Sequence, residues 1–309
     1  MNNVDGGMQQ GASMVKNVKA ALTAAVVLGS VGIAHAQVGG TAYTYNGSYA
    51  GTSYGEEVPS VIKSNELTIS GVVGMPLNPT AQIPDKGQWR VQGSYYDLGN
   101  LDTPISSYSQ KTYGVYTAGR LGNLPVEVNV GISKANVSAS GVGYSTDDPL
   151  DLDGTGFSIG AKYQVWRSED GTGMAAMGIG YDKNLYDNLY AYIVASKAFT
   201  SRNIVGHLGL RYDHYKINGL GSSQPSIYAG AEVPLDKDGR FALVGEVQSK
   251  NAADTDESDS FGGQIPYSLS LRMASENGFS ASIGIQRQGA LSKFLDDSSG
   301  LFVQVGKSF

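Results

Sequence analysis

From residue 88 to the C-terminus, apolar and polar positions alternate along the chain in segments of about ten residues. The stretch from 126 to 133 is the clearest, since Val126, Val128, Val130 and Ile132 alternate with polar or small residues. Side chains two positions apart share one face of a β-strand, so each segment predicts a strand with one apolar face. The twelve predicted strands span residues 88–98, 111–121, 126–135, 156–167, 173–181, 189–199, 204–216, 226–235, 240–250, 266–274, 279–288 and 301–309.

The connectors between these strands distinguish a membrane barrel from a soluble sandwich. Both folds produce alternation, because a sandwich turns the same apolar face inward. The short connectors are residues 122–125, 168–172, 200–203, 236–239 and 275–278, and a longer connector lies between each of them and the next. Strands of about ten residues with short turns on one side and longer loops on the other are typical of a bilayer-spanning barrel. The predicted fold is therefore all-β, a transmembrane antiparallel up-and-down β-barrel of about 12 strands.

Aromatic residues follow the same division of the strand ends. Those toward the short turns are Trp89, Phe199, Phe241, Phe279 and Phe309. Those toward the long loops are Tyr95, Tyr113, Tyr181, Tyr190, Tyr212 and Tyr267. Two aromatic girdles at the membrane interfaces are predicted.

The last predicted strand carries a resemblance to a known class. Residues 301–309 alternate and end in Phe309, which resembles the C-terminal signal of bacterial outer-membrane β-barrel proteins, porins among them. Lys307 departs from that pattern, which has an apolar residue there. The resemblance implies that the barrel-assembly machinery is a partner, that Phe309 is part of the assembly signal, and that the barrel contacts outer-membrane lipid.

The N-terminus predicts export. Lys16 and Lys19 precede an apolar run over residues 20–33, and Ala34-His35-Ala36 completes an A-x-A site. This arrangement is typical of a secretory signal peptide over residues 1–36, cleaved between Ala36 and Gln37. Met14 is an alternative start. The chain is expected in the cell outer membrane.

Residues 37–87 differ from the rest of the chain. They contain four prolines and no segment that predicts a long strand. The stretch from 71 to 87, with its Thr80-Ala81-x-x-Pro84-x-x-Gly87 core, resembles the initial segment of some exopolysaccharide-linked outer-membrane barrels. Two interpretations remain open. The segment is a proline-stiffened periplasmic lead-in, or it is a plug that folds into the barrel mouth and narrows it.

Composition excludes several classes of protein. Charged residues make up 16% of the chain, against about 25% in soluble domains. There is no cysteine, and mean hydropathy is -0.18, which argues against a disulfide scaffold and a multi-span helical protein. The net charge of -6 argues against nucleic acid as a partner.

The polar face of the predicted strands is expected to line the lumen. Its ionisable candidates are Arg90, Arg120, Glu127, Lys162, Lys197, His207, Arg211, Asp213, Glu232, Glu246 and Arg272. Arginines and lysines slightly outnumber acids in this set. Two interpretations fit it: a salt-bridge network that braces the lumen, or a charged constriction that selects solutes.

The sequence does not predict an enzyme. A lipase of the outer-membrane type needs a lipid-facing His and Ser with a polar third residue. His214 is the lipid-facing histidine, but Lys216 stands two residues on and Ser226 has the opposite parity. No catalytic residue, cofactor or metal site is predicted.

Two predicted long connectors are acidic. Their acids are Asp147, Asp148, Asp151, Asp153, Asp254, Asp256, Glu257 and Asp259. They are either solvated surface loops or weak sites for divalent cations.

These observations predict an outer-membrane channel or export conduit for small polar solutes or a polymer. The alternative is a structural or adhesive barrel with a closed lumen and functional surface loops. The sequence leaves the oligomeric state open.

Overall fold

The structure of the protein, a computed structural model, describes residues 66–102, 106–141, 150–184, 187–199, 204–217, 220–249, 265–287 and 299–309. In these residues twelve antiparallel strands form a closed barrel. Each strand pairs with its neighbours in sequence, and the last strand pairs with the first. The predicted all-β barrel of twelve strands is confirmed. The signal peptide and its cleavage site at Ala36 and Gln37 lie outside the described residues.

The strand bounds agree with the alternating segments at one end of the barrel. The strands are β1 Trp89–Asp102, β2 Ser106–Arg120, β3 Val126–Gly141, β4 Leu150–Arg167, β5 Gly173–Lys183, β6 Asp187–Phe199, β7 Ile204–Ile217, β8 Leu220–Pro234, β9 Phe241–Gln248, β10 Tyr267–Ala274, β11 Phe279–Arg287 and β12 Gly300–Ser308. At the end with the short connectors, called the turn end, predicted and observed bounds differ by at most one residue. At the opposite loop end, several strands run further than predicted. The β2–β3 pairing, for example, continues to Ser106 opposite Gly141.

The apolar face of the strands points out of the barrel. Ile132 is 66% exposed on β3 and Leu208 is 60% exposed on β7, whereas Glu127 and Asn129 on the other face of β3 are buried. A sandwich would have buried the apolar face, so the outward apolar belt identifies lipid as the medium that this surface suits. Among the described residues no helix has the length and apolar character needed to cross a membrane.

The two ends of the barrel sheet meet at the terminal phenylalanine. The Trp89 N–H donates to the Phe309 carbonyl at 2.9 Å, and the Phe309 N–H donates to the Trp89 carbonyl at 2.9 Å. The Phe309 side chain is exposed at the turn end. The last residue therefore completes the β1–β12 ladder and presents an aromatic ring at the membrane interface.

Deleting Phe309 should prevent stable assembly of the barrel. The deletion removes two backbone hydrogen bonds at the closing seam and the exposed ring that the assembly signal is expected to need. We expect the deletion variant to lose the heat-modifiable migration that folded barrels show on gels, and to be degraded. The matched control is Phe309→Tyr, which keeps both backbone bonds and an aromatic ring and should migrate as the parent does. Normal heat-modifiable migration of the deletion variant would contradict the prediction.

Candidate functional site

A segment of the chain occupies the lumen of the barrel. Residues 66–84, called the plug below, lie inside the barrel wall, and every residue from Ser70 to Ala81 is buried. This is the part of the 37–87 segment for which the sequence left two interpretations. Its hydrogen bonds to Glu127, Glu246 and Ser196 lie inside the barrel. Residues 37–65 are outside the described part of the chain.

The plug is folded by its own turns. Isolated bridges pair Leu67 with Val73 and Gly74 with Pro79. The Thr68 hydroxyl oxygen accepts hydrogen bonds from two N–H groups in the first turn, and Gly71 in that turn has a φ of 85°. At Gly74, a Cβ would lie 2.4 Å from the Asn78 carbonyl oxygen, so only glycine permits the close return of the chain.

A buried ion pair of the wall holds the plug at Val73. The Glu127 carboxylate accepts the Val73 N–H at 2.8 Å, and the Lys162 ammonium donates to the Val73 carbonyl at 2.8 Å. The same two side chains are 2.8 Å apart, and both are fully buried. Lys162 also donates to the Thr80 carbonyl. The pair therefore satisfies both backbone groups of one plug residue as well as its own charges.

Glu246 holds the second turn of the plug. Its carboxylate accepts the N–H groups of Leu77 at 2.7 Å and Asn78 at 3.0 Å, and the Asn78 side-chain amide at 3.1 Å. The Ser268 hydroxyl donates to it as well, at 2.6 Å. Several hydrogen bonds to one buried carboxylate compensate for its loss of water.

Uncharged wall side chains satisfy other backbone groups of the plug. Gln92 accepts the Leu67 N–H at 3.0 Å and donates to its carbonyl at 2.6 Å. Ser196 accepts the Ala81 N–H at 3.0 Å, and Gln164 donates to the Ala81 carbonyl at 2.9 Å. Irregular backbone at membrane depth requires such partners, because an unpaired buried N–H or C=O is costly.

An apolar cluster lies between the plug and the strands β5, β6, β8 and β9. Its members are Val72, Met75 and Ala81 of the plug with Ala176, Tyr190, Tyr192, Val194, Tyr228 and Val244 of the wall. The Tyr228 hydroxyl donates to the Pro79 carbonyl at 2.9 Å. Gly230 leaves room for Met75, since a Cβ at that position would lie 2.2 Å from the Met75 sulfur.

This cluster corrects two predictions about β6. Tyr190 was expected in the outer girdle, but it is 1% exposed and points into the barrel. Lys197 was expected in the lumen, but its parity faces outward and the side chain is exposed. Its ammonium donates to the Thr172 hydroxyl at 2.7 Å, beside a turn where hydrogen bonds from Ser168 and Thr172 lower the pKa of Asp170 to about 2. The middle of the lumen face of β6, from Tyr190 to Val194, is apolar because it packs on the plug.

The other ten lumen candidates are buried and face inward. They are Arg90, Arg120, Glu127, Lys162, His207, Arg211, Asp213, Glu232, Glu246 and Arg272. Arg120 lies at the turn end, where it donates to the Leu124 carbonyl at 2.9 Å, and Arg90 donates to Ser280 at 2.5 Å.

The remaining charges form two further groups. Glu232 contacts His207 at 3.1 Å and Arg272, which also lies 3.7 Å from Glu66 of the plug. Arg211 pairs with Asp213 at 2.9 Å and stacks over the Tyr190 ring at 4.5 Å. Arg211 and Glu246 are therefore not part of the Glu232 group.

A cavity, called the vestibule below, lies between the plug and the loop end of the barrel. Ile69, Ser70 and Leu77 of the plug form its floor. Its walls carry polar side chains from the outer halves of the strands, and these are Ser94, Gln110, Thr112, Ser133, Ser158, Asp182, Asn184, Asn188, Gln248, Gln286 and Gln304. The aromatic residues Tyr96, Tyr116 and Phe302 also line it.

One Ser–His contact lies on the outer surface. His214 Nδ1 and Ser223 Oγ are 2.5 Å apart across the β7–β8 pair. Ser223 was not among the predicted strand residues, because the alternating pattern of β8 begins at residue 226 and the strand starts at Leu220. In the described part of the chain no third side chain hydrogen-bonds to the imidazole, so the pair lacks the orienting group of a hydrolytic triad there.

Comparisons with known proteins connect this geometry to solved barrels. No family model matches the chain, and no curated protein matches it. An outer-membrane channel from Pseudomonas putida F1 is 7% identical with a TM-score of 0.54, over 74% of this chain and 97% of that one. The KdgM porin is 13% identical with a TM-score of 0.43, over 72% and 99%. The NanC porin is 11% identical with a TM-score of 0.41, over 72% and 98%. This chain has the fold of bacterial outer-membrane β-barrel proteins.

Proposed function

We propose that the chain is an outer-membrane channel for polar solutes and that the plug is its gate. The observation that carries the proposal is the way the plug is held. Polar side chains of the wall bind the plug backbone at Leu67, Val73, Leu77 and Ala81. The wall therefore presents polar side chains to the plug at these four positions.

This mode of attachment suits a gate. Water can replace each hydrogen bond between wall and plug when the plug leaves, so the net free energy of each bond is small. It is about 0.5–1.5 kcal/mol for an uncharged wall partner and about 1.5–3 kcal/mol for Glu127, Lys162 or Glu246. The wall that remains would be polar, as an aqueous pathway requires. Apolar contacts add affinity on two sides of the plug. One is the cluster around Met75, and the other joins Leu67 and Val73 to Tyr116 and Ala118 of β2.

The fold and the outward apolar belt support placement in the outer membrane, as does the signal peptide that the sequence predicts. The alternative of an adhesive barrel depends on surface loops, and the comparisons give it no support. The divalent-cation sites proposed for the acidic connectors fall mostly on residues outside the described ranges. The oligomeric state stays open.

A disulfide between plug and wall should silence the channel. The chain has no cysteine, and the Ala81 nitrogen lies 3.0 Å from the Ser196 hydroxyl, so the pair Ala81→Cys and Ser196→Cys is well placed for a cross-link. We expect the oxidised double variant to show no openings in planar bilayers, because the plug cannot leave. The same protein should conduct after reduction.

The two single-cysteine variants are the controls for this experiment. Each carries one of the two substitutions and cannot form the intramolecular bond, so oxidant should not change its conductance. If the oxidised double variant conducts as the reduced protein does, with the cross-link verified by mass spectrometry, then the plug is not the gate.

A further inference from the structure

The vestibule wall contains a row of buried oxygen atoms without partners. Ser158, Asp182 and Asn188 are direct neighbours across β4, β5 and β6. Within the described residues, Ser158 Oγ, Asp182 Oδ1 and Asn188 Oδ1 have no hydrogen-bond partner, although Ser158 and Asn188 are more than nine-tenths buried. Buried polar atoms are normally paired, so three consecutive exceptions need an explanation.

The opposite wall of the vestibule also contains buried polar atoms without hydrogen-bond partners among the described residues. Gln286 on β11 is fully buried, and in the described part of the chain neither its side-chain oxygen nor its nitrogen has a partner. Gln304 on β12 donates to the Leu67 carbonyl of the plug, and its side-chain oxygen has no partner. Asn184 Oδ1, at the rim of the cavity, also has no hydrogen-bond partner among the described residues. The free groups therefore surround the cavity rather than cluster on one strand.

The chemistry of these atoms specifies the ligand. Most of them are acceptors, so they require a ligand that donates hydrogen bonds. Carboxylate and phosphate groups only accept, and Asp182 would repel them. A polyamine donates, but the bases Arg211 and Lys183 also line the cavity, and Asp182 is the one acid among its described lining residues. Hydroxyl groups both donate and accept without charge.

The vestibule also contains aromatic rings, which suit the apolar faces of a sugar. Tyr96 and Phe302 pack together and, with Tyr116, line the vestibule. Aromatic faces provide apolar contact area, and a few convergent polar groups then fix the orientation of a ligand. A sugar ring offers both kinds of surface, with C–H groups on its faces and hydroxyl groups around its edge.

We infer that the vestibule binds a neutral, hydroxyl-rich ligand of the oligosaccharide class. The sugar hydroxyl groups supply donors to acceptors that have no partner within the described residues. This inference rests on the proposed channel function, because it names the solute class that the channel admits from the loop end. The binding site itself exists with the plug in place.

Calorimetric titration of the purified full-length chain tests the inference. The probes are neutral hexasaccharides of glucose, mannose and galactose, an oligogalacturonate of equal length, and spermidine, each at millimolar concentration. We expect at least one neutral hexasaccharide to bind more tightly than the two charged probes. Binding of only oligogalacturonate or spermidine, or of no probe, would overturn the inference.

Paired substitutions locate the site. Ser158→Ala should weaken binding of the neutral sugar by about three- to tenfold, the effect of one hydrogen bond. Ser270→Ala is the matched control, since Ser270 Oγ is also buried without a partner but lies outside the vestibule lining. Gln286→Leu should weaken binding by about tenfold without lowering the melting temperature, because no protein partner is lost. Equal effects of Ser158→Ala and Ser270→Ala would place the site elsewhere.

The oxidised Ala81→Cys, Ser196→Cys protein separates this inference from the proposed function. It should bind the sugar as the parent does, because the plug is held in its vestibule-forming position. A conducting parent that binds no neutral sugar would overturn the ligand class and leave the gate intact. A cross-linked protein that both binds and conducts would support the ligand site and refute the gate.

Discussion

Deletion of residues 66–84 should convert the closed barrel into a permanently conducting pore. Barrels of about eight strands are filled by their own side chains and those of about sixteen enclose an aqueous channel, so twelve strands leave a lumen that a segment of chain can fill. In this protein the plug fills it, and the wall behind the plug carries polar side chains beside the apolar clusters that pack on the plug. We expect a steady conductance in planar bilayers from the deletion variant, where the parent shows rare openings.

The wall should tolerate this deletion. The ion pairs Lys162–Glu127, Arg211–Asp213 and Arg272–Glu232 lie between wall residues, so they persist without the plug. Water replaces the plug backbone as partner of Gln92, Gln164 and Glu246. The deletion variant should therefore keep the heat-modifiable migration of a folded barrel.

A peptide added in trans provides the control. A synthetic peptide of residues 66–84 should block the deletion variant, because the wall groups that bind the plug are still present. A peptide with the same composition in scrambled order should not block it. If the folded deletion variant is as silent as the parent, then another element closes the lumen and the gate assignment fails.

The sequence predicts the wall of this barrel well because the lipid imposes a simple rule on it. Ile132 and Leu208 face outward in strands whose opposite face is polar, and that contrast fixes their orientation without knowledge of the lumen. The turn ends are also well predicted, since short connectors leave little freedom in where a strand stops. The loop ends are not, because β2 and β3 continue to pair beyond the alternating segment.

Strand β6 shows where this rule gives no answer. Leu189, Ala191 and Ile193 form one apolar row, and Tyr190, Tyr192 and Val194 form another. Because both faces of β6 are apolar, the alternation of polar and apolar residues does not show which face points inward. Lys197 was therefore wrongly assigned to the lumen. The inward row is apolar because Val72, Met75 and Ala81 of the plug pack against it. A contact between segments more than a hundred residues apart decided the parity, and no local pattern records it.

The plug itself left few signals in the sequence. It has no regular strand or helix, and its burial depends on hydrogen bonds between its backbone and side chains of eight strands. Gly71 and Gly74 permit its turns, but glycine is frequent throughout this chain, with 42 residues. The polar lumen residues could be recognised from the sequence. The sequence did not show that these side chains bind the backbone of the plug and not a solute or bulk water. That contact was found in the structure.

Replacing Lys162 with methionine should release the plug. The substitution leaves the Glu127 carboxylate buried, with the Val73 N–H as its remaining hydrogen-bond partner. Breaking a buried ion pair by removal of one partner costs about 3–5 kcal/mol. Departure of the plug relieves that cost, because water then reaches the carboxylate. The ratio of open to closed channel should therefore rise by roughly a hundredfold or more, since each tenfold change corresponds to about 1.4 kcal/mol.

Two further variants separate the effect of the unpaired Glu127 charge from the effect of replacing a lysine side chain. Lys162→Met combined with Glu127→Gln removes the unpaired charge and keeps an oxygen acceptor for the Val73 N–H, so its opening ratio should return toward that of the parent. Lys197→Met is the matched control, because the same substitution at an outward-facing lysine leaves the plug contacts intact and should not change the conductance. Single-channel recordings in planar bilayers give the opening ratio of each variant. If Lys162→Met and the double variant open equally often, the uncompensated Glu127 charge does not drive release. If Lys197→Met opens as often as Lys162→Met, then the contact of Lys162 with Val73 does not hold the plug closed, because Lys197 does not contact the plug.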